Sequence, residues 1–138
     1  MDSVAANRRA SPLAQQLFVA YALLVVYASL HPFSGWRDSG VPPLSWLTAA
    51  MPRYITAFDV MANILGYLPL GFLAVLALYP AARRSAAIGI AVLFALALST
   101  GLETLQVYLP GRIASNVDLA TNAVGALLGA FIGSAATR

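Results

Sequence analysis

Residues 86–109 read AAIGIAVLFALALSTGLETLQVYL, a predominantly apolar run in which Glu103 is the single charged residue. A helix of this length, at about 1.5 Å per residue, crosses the ~30 Å hydrocarbon core of a bilayer. Pro110 and Gly111 follow directly, and these residue types are typical of a helix end. The stretch therefore predicts a transmembrane helix.

Three more apolar blocks of similar length occupy about residues 13–30, 57–79 and 117–136. Across the 138 residues, 60% are hydrophobic and 9% are charged, whereas an ordinary soluble domain is about a quarter charged. Too few charges remain to cover a water-facing surface. The chain is therefore predicted to be one domain, residues 1–138, with an all-α fold, a four-helix bundle integral to the membrane.

The eight basic residues are all arginine, and their positions between the apolar blocks predict membrane orientation rather than nucleic-acid binding. Five of them fall on the side that carries both chain termini: Arg8, Arg9, Arg83, Arg84 and Arg138. The other side receives Arg37, Arg53 and Arg112. The positive-inside rule then predicts cytoplasmic termini and a multi-pass protein of the inner (cytoplasmic) membrane. One alternative stays open, because Arg8-Arg9 and the first apolar block also resemble a secretory signal peptide, though no clear cleavage site precedes His31.

Residues 58–66 and 117–125 read FDVMANILG and VDLATNAVG, and both follow the pattern apolar-Asp-x-x-x-Asn-x-x-Gly. The chain is therefore predicted to contain two repeated helical hairpins, related by an axis along the membrane normal. Positions i, i+4 and i+7 share one helix face, so Asp, Asn and Gly form one stripe in each copy. In the second copy the stripe continues through Gly129 and Gly133, a small-residue pattern that predicts close packing against another helix.

The polar residues within the apolar blocks are predicted to meet at one level, in the outer third of the bilayer. Glu103 and Gln106 share a helix face, and Arg112 lies in the short turn that follows. An ionisable group at membrane depth costs at least about 2–3 kcal/mol, so such residues are usually paired, hydrated or functional. The predicted ligand-binding residues are Asp59, Asn63, Glu103, Gln106, Arg112, Asp118 and Asn122. Among them, Glu103, Asp59 and Asp118 are the candidates for a catalytic role.

Each of these residues also has a purely structural interpretation. The two aspartates stand near predicted helix starts, where a carboxylate caps free N–H groups. The two asparagines can join helices by hydrogen bonds. A buried ion pair between Glu103 and Arg112 is the structural alternative for the glutamate. The three acids could also hold a divalent cation, but no spacing is diagnostic of one and cysteine is absent, so we predict no metal and no cofactor.

The same motifs resemble the VanZ-like family. They are Asp59-x-x-x-Asn63 with Leu-Pro-Leu-Gly at 68–71, Glu103-Thr-Leu-Gln106 with Pro-Gly-Arg at 110–112, and Asp118-x-x-x-Asn122-x-x-Gly125. Ser-Leu-His-Pro-Phe at 29–33 is also similar to that family, and the resemblance extends from about Leu17 to Gly133. It implies a small bacterial membrane protein of the cell envelope. The founding member of the family is associated with low-level resistance to the glycopeptide teicoplanin.

Three functions fit the sequence, and the first, which is not enzymatic, is favoured. The first is a protein that binds or shields an amphiphile or lipid-linked molecule at the outer leaflet. Arg112 and Arg53 would contact anionic groups of this ligand, and the function could be linked to teicoplanin resistance. A membrane-embedded enzyme would use Glu103 as acid or base, with Asp59 or Asp118 as its partner. A small transporter would have to oligomerise, because four helices leave little room for a pathway. The predicted partners are the lipid bilayer and such a ligand.

Overall fold

The computed structural model describes residues 11–82 and 84–137, which form four long helices and one 3₁₀ turn. The helices are α1 (Pro12–Leu30), α2 (Ala57–Leu78), α3 (Arg84–Gln106) and α4 (Asn116–Ala136), and the 3₁₀ turn lies at Ser45–Thr48. All four helices are long and apolar enough to cross a membrane, and the described residues contain no strand. The predicted all-α architecture is confirmed.

The helix boundaries agree with the predicted spans to within three residues, and they have local causes. α2 and α4 begin after the N-caps Thr56 and Ser115, whose hydroxyls accept backbone N–H bonds from the first turn. α3 ends at Gln106 rather than at Leu109, because the chain tightens there into turns in which Leu109 N donates to Gln106 O at 3.0 Å.

Which end of the bundle faces the cytoplasm stays a prediction. Four of the five arginines that support it lie outside the described residues, namely Arg8, Arg9, Arg83 and Arg138.

The hairpin repeat also stays a prediction. The structure adds that the two matched segments open α2 and α4 and lie at the same end of the bundle.

The most extensive helix contact joins α2 to α4, and glycines bring the two backbones together there. A Cβ atom on Gly125, for example, would overlap the carbonyl oxygen of Ile64. The glycines of this contact that leave no room for a side chain are Gly71 on α2 and Gly125, Gly129 and Gly133 on α4. The close packing predicted from the small-residue stripe is therefore confirmed, with α2 as the partner helix.

α1 packs against α2 and α3. The long loop after α1 covers the end of the bundle at which α2 and α4 begin. The hydroxyl of Tyr21 donates to the carbonyl of Gly66 at 2.9 Å and ties α1 to α2. In the loop, Trp46 is only 4% exposed, and its Nε1 donates to Thr104 Oγ1 at 3.4 Å. The buried indole anchors the loop on α3, and Pro52, Tyr54 and Ile55 of the loop form part of a cavity wall.

A polar cavity at one end of the bundle

The C-terminal ends of α1 and α3 meet the N-terminal ends of α2 and α4 around a cavity of about 810 Å³. This volume lies within the range of about 300–1,000 Å³ that is typical of small-molecule sites. All seven predicted binding residues lie on its wall: Asp59, Asn63, Glu103, Gln106, Arg112, Asp118 and Asn122. Arg53, which was expected to contact anionic groups, is exposed on the loop and does not line the cavity.

At the rim, Asp59 caps its own helix. Thr56 N donates to Asp59 Oδ2 at 3.1 Å, and Asp59 N donates to Thr56 Oγ1 at 3.1 Å, which completes a reciprocal capping box. The Thr56 hydroxyl donates to the same carboxylate oxygen at 2.6 Å. The capping interpretation of Asp59 is therefore confirmed, and the residue remains exposed to solvent.

Asp118 occupies the same position in the first turn of α4, but it does not cap the backbone. Ser115 Oγ accepts from Val117 N at 3.2 Å, and the Ser115 backbone N–H donates instead to Glu103 Oε2 at 2.8 Å. Glu103 of α3 thus supplies the acceptor that an aspartate supplies in α2. The Asp118 carboxylate does not take part in this backbone bond; it is half-buried and hydrogen-bonded to the side chains of Asn63 and Ser115.

The ion pair considered for Glu103 and Arg112 is absent, and within the described ranges no such pair involves either residue. Arg112 Nη2 donates to the carbonyls of Ala28 at 3.0 Å and His31 at 3.1 Å. The last carbonyls of a helix have no hydrogen-bond donor within the helix, so a guanidinium that reaches them supplies the missing hydrogen bonds. Gln106 Nε2 acts similarly, because it donates to Ser29 O at 3.1 Å. Both side chains hold the end of α1 against the cavity.

Deeper in the cavity, Asn122 is 5% exposed and joins α4 to α3. Its Nδ2 donates to Ser99 Oγ at 2.9 Å, which confirms the helix-joining interpretation of this asparagine. The Ser99 hydroxyl also bonds the Tyr67 side chain of α2. Asn122 Oδ1 is buried and has no hydrogen-bond partner in the part of the chain that the structure describes.

Three polar residues were not predicted: Ser99, which bonds Asn122 but does not line the cavity, and Tyr67 and Ser115, which do line it. Helical spacing could have found the first two, since Ser99 precedes Glu103 by four residues and Tyr67 follows Asn63 by four. The N-cap serine could have been found from its place three residues before Asp118.

Chemically, the wall offers carboxylates and amides that are spread over three helices. Glu103 and Asp118 are near enough to interact electrostatically, as are Asp118 and Asp59. Across residues 11–82 and 84–137, however, no group of three or more His, Cys, Asp or Glu side chains could hold a metal ion.

A multi-pass helical membrane protein with a polar cavity at one end of the bundle is the class that this fold and site define. The sequence profile of the VanZ/LLP1 family matches residues 6–136, nearly the whole chain, and the protein belongs to that family. The resemblance inferred from the motifs is thereby confirmed. No curated protein and no solved structure matches the chain.

Proposed function

We propose that this protein binds the head group of an amphiphile in the polar cavity, at the outer leaflet of the bacterial inner membrane. The observation that carries the proposal is the convergence of seven polar side chains on one cavity of about 810 Å³ at the end of an otherwise apolar bundle. Polar groups at membrane depth are unfavourable unless they are used or satisfied, and the buried Oδ1 of Asn122 has no partner among the described residues.

The cavity wall is continuous with the outer surface of the bundle, which supports entry from the bilayer. Leu24 of α1 lines the cavity and is also 55% exposed. Ala62 of α2 is likewise both exposed and part of the wall. An amphiphile can therefore place its head group in the cavity while its acyl chains stay among the lipids. A lipoglycopeptide such as teicoplanin is one member of this ligand class, and its sequestration would give resistance.

Photocrosslinking in native membranes tests the proposal. A p-benzoylphenylalanine at Leu24 reports on the cavity, and the same group at Leu23, which is exposed but outside the wall, is the matched control. Gly66→Leu adds a side chain at the cavity wall, because Gly66 lines the cavity and a Cβ atom there meets nothing within 4 Å. Gly101→Leu adds the same side chain at another unobstructed position away from the cavity.

We expect an amphiphile adduct at Leu24, identified by mass spectrometry, that Gly66→Leu removes and Gly101→Leu leaves in place. Adducts at Leu23 should contain bulk lipid and be insensitive to both changes. An adduct at Leu24 that is unaffected by Gly66→Leu would mean that the probe reads bulk lipid only, and the proposal would then be wrong.

A membrane-embedded enzyme is the second candidate, and the observation that favours it is the proximity of the Glu103 and Asp118 carboxylates on the wall. Glu103→Gln separates the two functions, because an amide oxygen can still accept from the Ser115 N–H but cannot serve as a general acid or base. An enzyme would retain capture of the amphiphile and lose its modification. A binding protein would show no chemical change in the captured molecule in either form.

The transporter remains a weaker hypothesis. The cavity residues on the four helices lie only at one end of the bundle, at residues 21–29, 59–67, 102–106 and 117–122. A pathway through the membrane would need a polar route along the other half as well.

A further inference from the structure

Acidic side chains outnumber basic ones on the cavity wall. Its carboxyl groups are those of Asp59, Glu103 and Asp118, and its one guanidinium is that of Arg112, so the formal charge of these four groups is 1 − 3 = −2. The Nη2 of Arg112 already donates to two carbonyls at the end of α1. The wall is therefore better suited to a cation than to an anion.

Hydrogen-bond acceptors are also in excess at the inner part of the cavity. Asn122 Oδ1 is buried without a partner among the described residues, while its Nδ2 is held by Ser99. Glu103 uses Oε2 for the Ser115 N–H, and no described residue bonds its Oε1. A buried acceptor without a donor is rare in folded proteins, so Asn122 Oδ1 is an acceptor that an N–H or O–H group of a ligand can satisfy.

The acceptors are arranged for an organic cation. Asp118 and Asn122 are four residues apart on one face of α4, and Glu103 faces them from α3. Their separation excludes a compact metal site of three acidic or histidine ligands within the described ranges. A primary ammonium has three N–H donors and a positive charge, so it matches both properties of the wall.

We propose that the cavity recognises the primary ammonium group of an amphiphile, which donates to the Asp118 carboxylate and to Asn122 Oδ1. This inference rests on the proposed function and names its ligand class. The ammonium can belong to a zwitterionic phospholipid or to an aminosugar lipid, and the two differ in whether a phosphate accompanies it.

Native mass spectrometry of the full-length protein in neutral detergent tests this recognition. The probes are phosphatidylethanolamine, phosphatidylcholine and phosphatidylglycerol with identical acyl chains, and an alkyl glucosaminide. Phosphatidylcholine keeps the positive charge but has no N–H donor. We expect phosphatidylethanolamine to be retained about tenfold better than the other two phospholipids, as for one charged hydrogen bond. Equal retention of the glucosaminide would assign recognition to the ammonium alone, whereas its loss would assign it to an ammonium accompanied by a phosphate.

Asp118→Asn should reduce retention of phosphatidylethanolamine about tenfold and leave phosphatidylglycerol unchanged. Asp38→Asn is the matched control, because it removes the same charge from an exposed loop residue outside this cavity. If Asp118→Asn does not accumulate, Asn63→Lys provides the second variant at a half-buried position on the wall. Its tethered ammonium should displace phosphatidylethanolamine and favour phosphatidylglycerol.

Two negative results are distinguishable. If phosphatidylglycerol is retained as well as phosphatidylethanolamine and neither variant changes the ratio, the ammonium inference is wrong and the proposed function stands. If Gly66→Leu fails to reduce retention of any of the four probes, binding in the cavity itself is wrong and both proposals fall.

Discussion

The two copies of the Asp-x-x-x-Asn-x-x-Gly pattern share a sequence and a place at the end of the bundle, but the fold uses them differently. In α2 the aspartate completes a capping box and stays exposed, and Gly66 opens onto the cavity. In α4 the asparagine is buried against α3, and Gly125 lies against the backbone of α2. The first copy forms the rim of the cavity, and the second copy forms its interior wall.

The difference teaches that a residue from a neighbouring helix can change what a local motif does. Glu103 accepts the N–H of the α4 N-cap, so Asp118 is not needed for capping and its carboxylate faces the cavity. In α2 no such residue takes the N–H of Thr56, because Asp59 accepts it. Because Glu103 caps α4, Asp118 is not held in a capping role and can take a functional one.

The largest expected effect comes from the two matched glycines. Gly125→Leu should lower the free energy of unfolding by about 3 kcal/mol or more, because its side chain would have to displace the backbone at Ile64. Gly66→Leu should leave stability almost unchanged. Unfolding by sodium dodecyl sulfate in mixed micelles, followed by circular dichroism, measures both. Equal stability of the two variants would show that the two copies pack alike.

The next test concerns Glu103. Its bond to the Ser115 N–H explains why Asp59 caps its helix and Asp118 does not. Glu103→Leu should lower the free energy of unfolding by about 1–3 kcal/mol, since the buried N–H of Ser115 loses its acceptor. Glu103→Gln should recover most of this loss through its amide oxygen. The same unfolding measurement applies, and a Gln variant as unstable as the Leu variant would indicate that charge, not the acceptor, matters.

A smaller effect is expected from the helix caps. Thr56→Ala should lower the free energy of unfolding by about 1 kcal/mol, because it removes the N-cap of α2. Asp59→Ala should act in the same direction, whereas Asp118→Ala should preserve the cap of α4, whose bonds come from Ser115 and Glu103. Unfolding midpoints of the three variants check this order. A loss for Asp118→Ala that exceeds the loss for Asp59→Ala would contradict the assigned roles.

The smallest effect concerns the buried asparagine. A double-mutant cycle of Asn122→Ala and Ser99→Ala should give a coupling free energy of about 0.6 kcal/mol, the usual size for a hydrogen bond between membrane helices. The matched cycle of Asn63→Ala and Ser99→Ala should give no measurable coupling. Coupling in the second cycle would show that Asn63 belongs to the same buried network.

Much of the cavity could be predicted from the sequence. Helical spacing placed Asp59 with Asn63 and Asp118 with Asn122, and the alternation of spans brought the polar ends together. The partners of each side chain could not be predicted in the same way. Proximity in sequence suggested that Arg112 pairs with Glu103, but the guanidinium binds the end of α1, more than eighty residues earlier.

The sequence by itself determined the number of spans, their boundaries to within three residues and the residues that share a face, because these depend on apolar length and on the helical repeat. Only the tertiary structure decided that the stripe of Gly125 packs on α2, that Glu103 caps α4 and that Asn122 Oδ1 has no partner within the described residues. The physical reason is that hydrogen bonds between helices depend on how far each helix is rotated and shifted against its neighbours. That register is set by packing over the whole bundle, and no local pattern contains it.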